Sequence, residues 1–426
     1  MEAPPADCVR IMNSPTAVWL VLFAVLSAAP VLKIGDVQAV EIAQVLWLCL
    51  AAPLFLYRGL RVPYSGAWRR HGGGYLLFLG LCLGVSALAL RLPFYAPPDI
   101  SALKLPLVLS LSRILELFLA LCFMLIVAHA LARRAALLRR TLDAYCWIGA
   151  ASAGISIASW ILLKGAGVAT FAVYGFEGRV RGFFNEGGPY GIFLVSVGVA
   201  ALLRARLFRP LYPFLHKALL GLLLVALFLS GSKAGLLAAG GLCLLGLAVV
   251  GSRRQRAVIL TACAVILIAF FTLFQGKLFG YFYAYLNFDE ALAYRPGDPS
   301  LIMGRIAASI VVPRMISVHP LLGIGVGNYS LMRNDPDYLQ GLPPVDGWDL
   351  PGMGLFGSAA EFGIPLALFF LVLLLRPLFA AKKRKAPAIV TVAAGFQPLA
   401  FLLGVNLNFF YPWLIAAFVI AIEAEG

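Results

Sequence analysis

Long apolar runs alternate with short polar turns along most of this chain. A helix needs about 20 apolar residues to cross the hydrocarbon core of a bilayer. Judged by that length, the pattern predicts an all-α, polytopic membrane protein with about 12 transmembrane helices. The predicted spans are about 15–32, 38–57, 73–92, 105–131, 143–163, 189–207, 217–230, 234–250, 257–275, 363–380, 387–404 and 409–423.

One stretch, about residues 276–363, departs from this pattern, because none of its segments is long and apolar enough to cross a bilayer. It forms a long loop region between nine predicted spans in residues 1–275 and three in residues 364–426. A shorter polar loop covers residues 164–188. A polytopic protein with such a long polar excursion on one side is expected to use it for its function.

Composition excludes a soluble enzyme with a single anchor. Hydrophobic residues make up 62% of the chain and charged residues 12%, whereas soluble domains carry about 25% charged residues. The net charge of +15 would fit a nucleic-acid-binding protein, but the basic residues cluster in short turns between apolar runs. That placement is typical of cytoplasmic loops under the positive-inside rule.

Charge placement also predicts the orientation of the chain in the membrane. With the N-terminus in the cytoplasm, every basic cluster falls on the cytoplasmic side, and the C-terminus lies there too. Residues 164–188, the turn Ser230–Lys233 and residues 276–363 then share the opposite face. The seven cysteines show no CxxC or metal-ligand spacing, so neither a disulfide nor a metal site is predicted.

Arginines on the outer face run against the positive-inside bias and therefore suggest a function. Arg179 and Arg181 lie directly before a predicted helix, in the segment Arg-Val-Arg-Gly-Phe-Phe-Asn-Glu-Gly-Gly-Pro-Tyr-Gly. In an extended segment, alternation places both guanidinium groups on one side, and next to a helix N-terminus they form an anion site. The alternative is a solvated loop that tolerates two arginines. Lys233, between two predicted spans, either holds a lipid phosphate or extends toward lipid head groups.

The long region 276–363 carries further candidates. An aromatic cluster that begins at Tyr281 fits either an interfacial belt or stacking on sugar rings. Residues 304–318 predict a helix with Arg305 early and Arg314 late. Nine residues separate the two arginines, about two and a half turns, so they need not share a face.

A glycine-rich segment then runs from His319 to Asn328 and permits a close approach of its backbone to a ligand or another helix. Glu361 begins the return to the membrane. Within a predicted span, Arg113 and Glu116 lie three residues apart, a spacing that allows an ion pair. Because charges inside a membrane are costly, this pair is either structural or close to the substrate.

Three stretches and the return that follows them resemble the O-antigen ligase and O-antigen polymerase superfamily, over about residues 170–375. The stretches are Arg-Gly-Phe-Phe-Asn-Glu through Gly (181–191), Leu-Ser-Gly-Ser-Lys-Ala-Gly (229–235), and Gly-Arg through His-Pro-Leu-Leu-Gly-Ile-Gly-Val-Gly-Asn (304–328). The return reads Ala-Glu-Phe-Gly-Ile-Pro-Leu (360–366). Each motif alone is weak, whereas the ordered set is fairly specific.

The resemblance implies a metal-independent glycosyltransferase, without a cofactor, on the periplasmic face of the bacterial inner membrane. Its donor would be a glycan on undecaprenyl diphosphate and its acceptor a lipid-linked glycan, with a chain-length regulator as a candidate partner. In the family picture, arginines hold the diphosphate and the acceptor hydroxyl attacks the anomeric carbon.

Together, the outer-face residues and the resemblance give three groups of candidate site residues. The candidate cations are Arg181 and Arg305, followed by Arg179, Arg314 and Lys233. The candidate catalytic bases, among which the choice stays open, are His319, Glu186 and Glu361. The further candidate substrate contacts are Asn185, Asn328 and Tyr281.

One departure from the ligase pattern bears on the reaction. Ligases carry a histidine shortly before the glutamate that matches Glu361, and residues 349–354 contain none. This favours polymerisation of O-antigen or exopolysaccharide repeat units over transfer of glycan to the lipid A core. The alternative from a different class is a transporter, such as a lipid-linked oligosaccharide flippase. Transporters usually have pseudo-symmetric halves, and the two halves of this chain differ.

Overall fold

Helices form almost all of the regular structure described for this protein. The computed structural model describes residues 22, 25–34, 37–46, 49, 71–95, 105–132, 134–174, 178–208, 213–345 and 354–423. Within these residues the only sheet is a hairpin of two short antiparallel strands, β1 (Lys33–Ile34) and β2 (Val37–Gln38).

The helices fall into apolar ones and shorter ones that connect them. In chain order they are α1 (Gly73–Ala89), α2 (Pro106–Leu131), α3 (Ala135–Ala166), α4 (Gly187–Phe208), α5 (Pro213–Ser230), α6 (Lys233–Val249), α7 (Arg253–Leu286), α8 (Phe288–Tyr294), α9 (Pro299–Ile302), α10 (Arg305–Val318), α11 (Tyr329–Met332), α12 (Pro336–Leu339), α13 (Gly354–Phe362), α14 (Ile364–Lys383), α15 (Ala388–Leu402) and α16 (Phe410–Glu423).

Six of these helices are long and apolar enough to cross a membrane, judged by length and composition: α2, α3, α4, α5, α14 and the Arg253–Thr272 part of α7. Four shorter apolar helices, α1, α6, α15 and α16, accompany them. Each overlaps a predicted span, so the prediction of a largely α-helical, multi-pass membrane protein is confirmed at this level. About half of each of the first two predicted spans, about 15–32 and 38–57, lies outside the described residues.

Local sequence accounts for several helix ends. Pro106 occupies the first turn of α2, where its missing N–H leaves no hydrogen bond unmade. Helix α3 ends at Gly167, which adopts the left-handed conformation with a φ of 70°. Helix α14 begins after Gly363, whose φ is 77°, and carries Pro365 in its first turn.

Residues 276–363, predicted as a long loop region between spans with a helix over 304–318, begin with the end of one long helix. Helix α7 continues unbroken from Arg253 to Leu286, past the predicted end of its span, because no proline interrupts it. Asn287 then leaves the helical conformation, with a φ of −119°. Six further helices, α8 to α13, follow, so the described part of this region is mostly helical.

Packing around α4 positions the candidate site. Helix α4 lies against α3, α5 and α6. Phe184, directly before α4, is buried, and its ring centroid lies 5.7 Å from that of Tyr190 and 5.3 Å from that of Phe193. The Tyr411 hydroxyl donates a hydrogen bond to the Pro189 carbonyl at 3.2 Å. These contacts fix the first turn of α4 to the core.

Candidate functional site

The loop before α4 is folded back onto the first turn of that helix. The Val180 N–H donates to the Leu229 carbonyl at 3.1 Å, which ties the loop to the end of α5. Gly182 has a φ of 57°, and a Cβ at this position would lie 2.5 Å from the Tyr190 ring. Glycine therefore meets both the conformational and the steric requirement at this turn.

Ser232 joins the N-termini of α4 and α6. Its hydroxyl donates to the Gly188 carbonyl at 2.9 Å and, as the N-cap of α6, accepts from the Gly235 N–H at 2.9 Å. A Cβ on Gly191 would overlap the Ser232 side chain, and one on Gly235 would lie 2.8 Å from the Gly191 backbone. We call Ser232 and the first turns of α4 and α6 the helix joint. Each helix N-terminus carries a partial positive charge, so two positive ends lie side by side.

Arg305 reaches the helix joint from α10. It is the first residue of α10, and its side chain is exposed. Its Nη2 atom lies 3.6 Å from the point where a Cβ on Gly188 would stand. No other described residue is a hydrogen-bond or ion-pair partner of this guanidinium. Arg305 therefore adds a full positive charge beside the two helix ends.

Arg179 connects the loop before α4 to the turn between α5 and α6. Its Nε donates to the Ser230 carbonyl at 3.0 Å, and its Nη2 donates to the Gly231 carbonyl at 3.2 Å. Carbonyls at the end of a helix have no partner within the helix, and Arg179 supplies one. Its Nη2 also lies 3.2 Å from the point where a Cβ on Gly187 would stand. The guanidinium thus holds the helix joint together from one side.

Arg181 has different partners from Arg179. Its Nε donates to the Phe171 carbonyl at 2.9 Å and its Nη1 to the Asn185 carbonyl at 3.4 Å. Its guanidinium carbon lies 4.6 Å from the centroid of the Tyr174 ring, a cation–π contact. Alternation predicts that the two arginines point to one side. In the structure their guanidinium groups have different hydrogen-bond partners.

Glu186 and Lys233 stand next to these groups. Burial raises the pKa of Tyr174; Glu186 also raises it, and Arg181 lowers it. These charge effects show that Glu186 lies near the Arg181–Tyr174 pair, and its side chain is exposed, like that of Asn185. Lys233 is the first residue of α6 and is half-buried.

His319 lies at the opposite end of α10. The helix covers Arg305–Val318, and His319 is the residue that ends it. A helix rises 1.5 Å per residue, so α10 separates His319 from Arg305 by about 21 Å along its axis. The His319 ring is half-buried and meets Tyr338 edge-on, with centroids 6.3 Å apart. The two candidates therefore cannot contact the same phosphate.

Glu361 and Asn328 hold the glycine-rich segment that follows His319. A Glu361 carboxylate oxygen accepts from the Tyr329 N–H at 3.3 Å. Burial raises the pKa of Glu361, and hydrogen bonds from the Gly327 and Tyr329 backbone oppose that rise. The Asn328 side chain is fully buried and donates to the Ile324 carbonyl at 3.0 Å. Both side chains are thus engaged with backbone groups.

The remaining candidates lie away from the helix joint or outside the described residues. Arg314 Nη1 donates to the carbonyls of Tyr338, at 2.9 Å, and Leu339, which end α12. The side chain of Tyr281 and residues 346–353 lie outside the described parts of the chain. Residues 346–353 include most of segment 349–354, which contains no histidine to match that of the ligases.

The predicted ion pair inside the membrane is present. Arg113 Nη1 lies 2.8 Å from the Glu116 carboxylate on α2. A Cβ on Gly327 would lie 2.7 Å from the Arg113 side chain, so this pair sits against the glycine-rich segment. Whether the pair is structural or close to the substrate stays a prediction.

Sequence reasoning missed the part played by Ser232 and Gly191. The segment Ser-Gly-Ser-Lys-Ala-Gly did signal an N-cap, because a serine precedes an apolar helix. The partner of that serine could not be read from the chain, since Gly188 lies 44 residues away. Tyr411 was missed for the same reason.

Part of this chain matches a known protein family. Residues 218–371 match the family described as O-antigen ligase (Wzy_C), which confirms the resemblance drawn from the motifs. The match includes Ser232, Lys233, Arg305 and Glu361, and begins after the loop that carries Arg181. The family is one of glycosyltransferase-like enzymes of the O-antigen ligase and polymerase type, which act on lipid-linked glycans. Comparison with curated proteins gives no significant match.

Proposed function

We propose, from the O-antigen ligase family domain at residues 218–371, that this protein transfers glycan from a polyprenyl diphosphate at the helix joint. The observation that carries the proposal is the position of Arg305, exposed and beside the first turn of α4. The donor is a glycan on undecaprenyl diphosphate, and the acceptor is a second lipid-linked glycan. The product is a longer O-antigen or exopolysaccharide chain.

The charges at the helix joint suit a diphosphate leaving group. Glycosyl transfer leaves negative charge on the diphosphate, so fixed positive groups stabilise the transition state more than the ground state. Two helix N-termini offer partial charges and N–H donors. Arg305 and Lys233 add full charges, and Arg181 lies beside the loop that leads into α4. Arg179 supports this arrangement through the Ser230 and Gly231 carbonyls.

The reaction is a substitution at the anomeric carbon of the donor. The acceptor hydroxyl oxygen forms a bond to that carbon, the bond from the carbon to the phosphate oxygen breaks, and the diphosphate leaves with the electron pair. The hydroxyl proton passes to a base. Of the three carboxylate and imidazole candidates, Glu186 is exposed and directly precedes α4, whereas His319 lies at the far end of α10 from Arg305. We therefore assign Glu186 this role. Positioning by the fixed cations supplies much of the rate.

The proposal places the helix joint on the periplasmic face of the bacterial inner membrane, with both termini in the cytoplasm. The last turn of α14 carries Lys382 and Lys383, and basic residues favour the cytoplasmic side. Ile364, at the other end of α14, then faces the periplasm together with the helix joint. A chain-length regulator is the proposed protein partner.

Transfer to the lipid A core is the second candidate, because the family that matches is described as O-antigen ligase. Polymerisation is preferred since residues 349–354 contain no histidine. Lipopolysaccharide from a deletion strain separates the two reactions. A core with a single repeat unit indicates a lost polymerase, whereas a bare core with accumulated lipid-linked polymer indicates a lost ligase.

Replacement of Arg305 tests the proposal directly. We expect Arg305→Ala to lower transfer to a lipid-linked acceptor by about 10²-fold or more, because removal of one fixed donor from a transition state has that cost. Arg305→Lys keeps the charge and is expected to retain part of the activity. Transfer is measured with purified protein in liposomes and as chain length on the cell surface.

Arg295→Ala is the matched control. Arg295 lies ten residues before Arg305, and its exposed guanidinium pairs with Asp298 at 2.8 Å. An exposed ion pair contributes little to stability, so this variant removes the same charge with little effect on transfer. The proposal fails if Arg305→Ala keeps full transfer while lipid-linked units no longer cross the membrane. That result would indicate a transporter.

A further inference from the structure

The turn after α10 is clamped to the first residues of α14. The Ile364 N–H donates to the Pro320 carbonyl at 2.8 Å. A Cβ on Gly323 would lie 2.5 Å from the Gly363 nitrogen, and a Cβ on Gly363 would overlap the Leu321 backbone. We call residues 318–322 the apolar turn. Since α14 is long and apolar enough to cross a membrane, the apolar turn is fixed to the end of a span.

Apolar side chains of this turn point away from the protein. Leu321 is 70% exposed and Leu322 is 50% exposed, whereas side chains of this kind are mostly buried in soluble proteins. Val318 and Ile364 are exposed beside them. None of these four side chains carries a charge or a hydrogen-bonding group, so water is a poor partner for the surface that they form.

This surface continues the lipid-facing stripe of α14. The exposed large apolar residues of that helix are Ile364, Leu368, Val372 and Phe379. Spacings of four, four and seven residues place them on one face. An exposed apolar face on a membrane-spanning helix is covered by lipid. The apolar turn lies at the Ile364 end of the stripe, so its leucines extend the same surface.

We infer that the apolar turn is inserted into the boundary between lipid head groups and acyl chains, where bilayer lipid covers Leu321 and Leu322. The backbone clamp to Gly363 and Ile364 prevents the turn from moving away from that level. His319, in the same turn, then lies at head-group depth. The inference concerns a lipid-binding surface of the fold and does not depend on the proposed reaction.

Spin-label accessibility tests this placement. A nitroxide is attached to a single cysteine at position 321 in a chain without its native cysteines, reconstituted in phosphatidylcholine vesicles. Collision with oxygen, which partitions into the bilayer, is compared with collision with a water-soluble nickel chelate. Position 368, within α14, is the lipid-facing reference. Position 294 is the water-facing reference, because Tyr294 is 89% exposed at the end of α8 and is followed by Arg295.

We expect position 321 to resemble position 368, with collisions dominated by oxygen. A label at position 322 provides an independent second reading, and neither leucine is part of the buried core, so both variants should fold. Nickel accessibility like that of position 294 would overturn the inference. Protection from both reagents would overturn it as well, because it would show that protein, such as a second copy of this chain, covers the turn.

Discussion

Helix α10 ends in two different environments. At its Arg305 end, an exposed guanidinium without a described partner stands beside the N-termini of α4 and α6. At its His319 end, the polar side chains are bound to backbone groups. Glu361 accepts from a backbone N–H, Asn328 donates to a carbonyl, and Arg314 donates to carbonyls of α12. Helix α10 thus has an exposed guanidinium at one end and polar side chains bound to backbone groups at the other.

This contrast distinguishes Arg305 from Arg314 by their hydrogen-bond partners. Charged side chains look alike in a sequence, but their hydrogen bonds show whether they are available to a ligand. The guanidinium of Arg305 is exposed and can bind an anion, whereas that of Arg314 holds the short helix α12 in place. We expect Arg314 to act mainly through the short helix that it holds, since its Nη1 is bound to two carbonyls. Substitutions at each end of α10 test whether this difference is functional.

The largest effect is expected from a methyl group at the helix joint. In Gly191→Ala the new Cβ would overlap Ser232, so α4 and α6 must move apart and their N-termini no longer converge. A displacement of about 1 Å in a catalytic arrangement costs about 10²-fold in rate. We expect a loss of transfer of that order, measured per folded protein in liposomes.

Gly198→Ala is the control, because it makes the same change in the same helix. A Cβ at Gly198 meets no atom within 4 Å, and alanine is the better helix former. This variant should keep its activity. If Gly191→Ala were as active as Gly198→Ala, the close contact between α4 and α6 would have no part in transfer, and the helix joint beside Arg305 would lose its proposed role.

The apolar pattern predicted several of the membrane-spanning helices well. The predicted span 105–131 corresponds to α2 (Pro106–Leu131) and the span 409–423 to α16 (Phe410–Glu423), because an apolar run has clear limits. The end of α7 was not predicted. Its helix continues for about three turns beyond the apolar run. Hydropathy indicates which residues can lie in the membrane, and it does not indicate where a helix ends outside it.

The candidate site was only partly predictable. The motifs identified Arg181, Arg305 and the loop before α4, since arginines on the outer face run against the positive-inside bias. Contacts between distant segments decided the rest. The partners of Arg179 at Ser230 and Gly231 depend on how α5 packs. The separation of His319 from Arg305 depends on α10 being one unbroken helix.

At the other end of α10, Arg314→Ala is expected to lower stability rather than catalysis. The variant loses the hydrogen bonds from Nη1 to the carbonyls of Tyr338 and Leu339. Hydrogen bonds from a charged donor contribute about 1.5–3 kcal/mol, so thermal unfolding in detergent should begin at a lower temperature. Transfer per folded protein should stay near that of the unmodified protein. A lost transfer activity with unchanged stability would instead place Arg314 in the substrate site.

The smallest effect concerns the proton on Glu361. Burial raises the pKa of this carboxyl, and the Gly327 and Tyr329 N–H groups and Arg113 oppose the rise. A raised folded-state pKa contributes stability that is present below the unfolded pKa and is lost as the pH rises through the folded pKa. Glu361→Gln keeps an oxygen that accepts hydrogen bonds but cannot titrate. The difference in melting temperature between the unmodified protein and this variant should therefore favour the unmodified protein most at acidic pH and diminish as the pH rises. An opposite slope would mean that the N–H groups and Arg113 outweigh burial, and that the His319 end of α10 holds a stabilised anion.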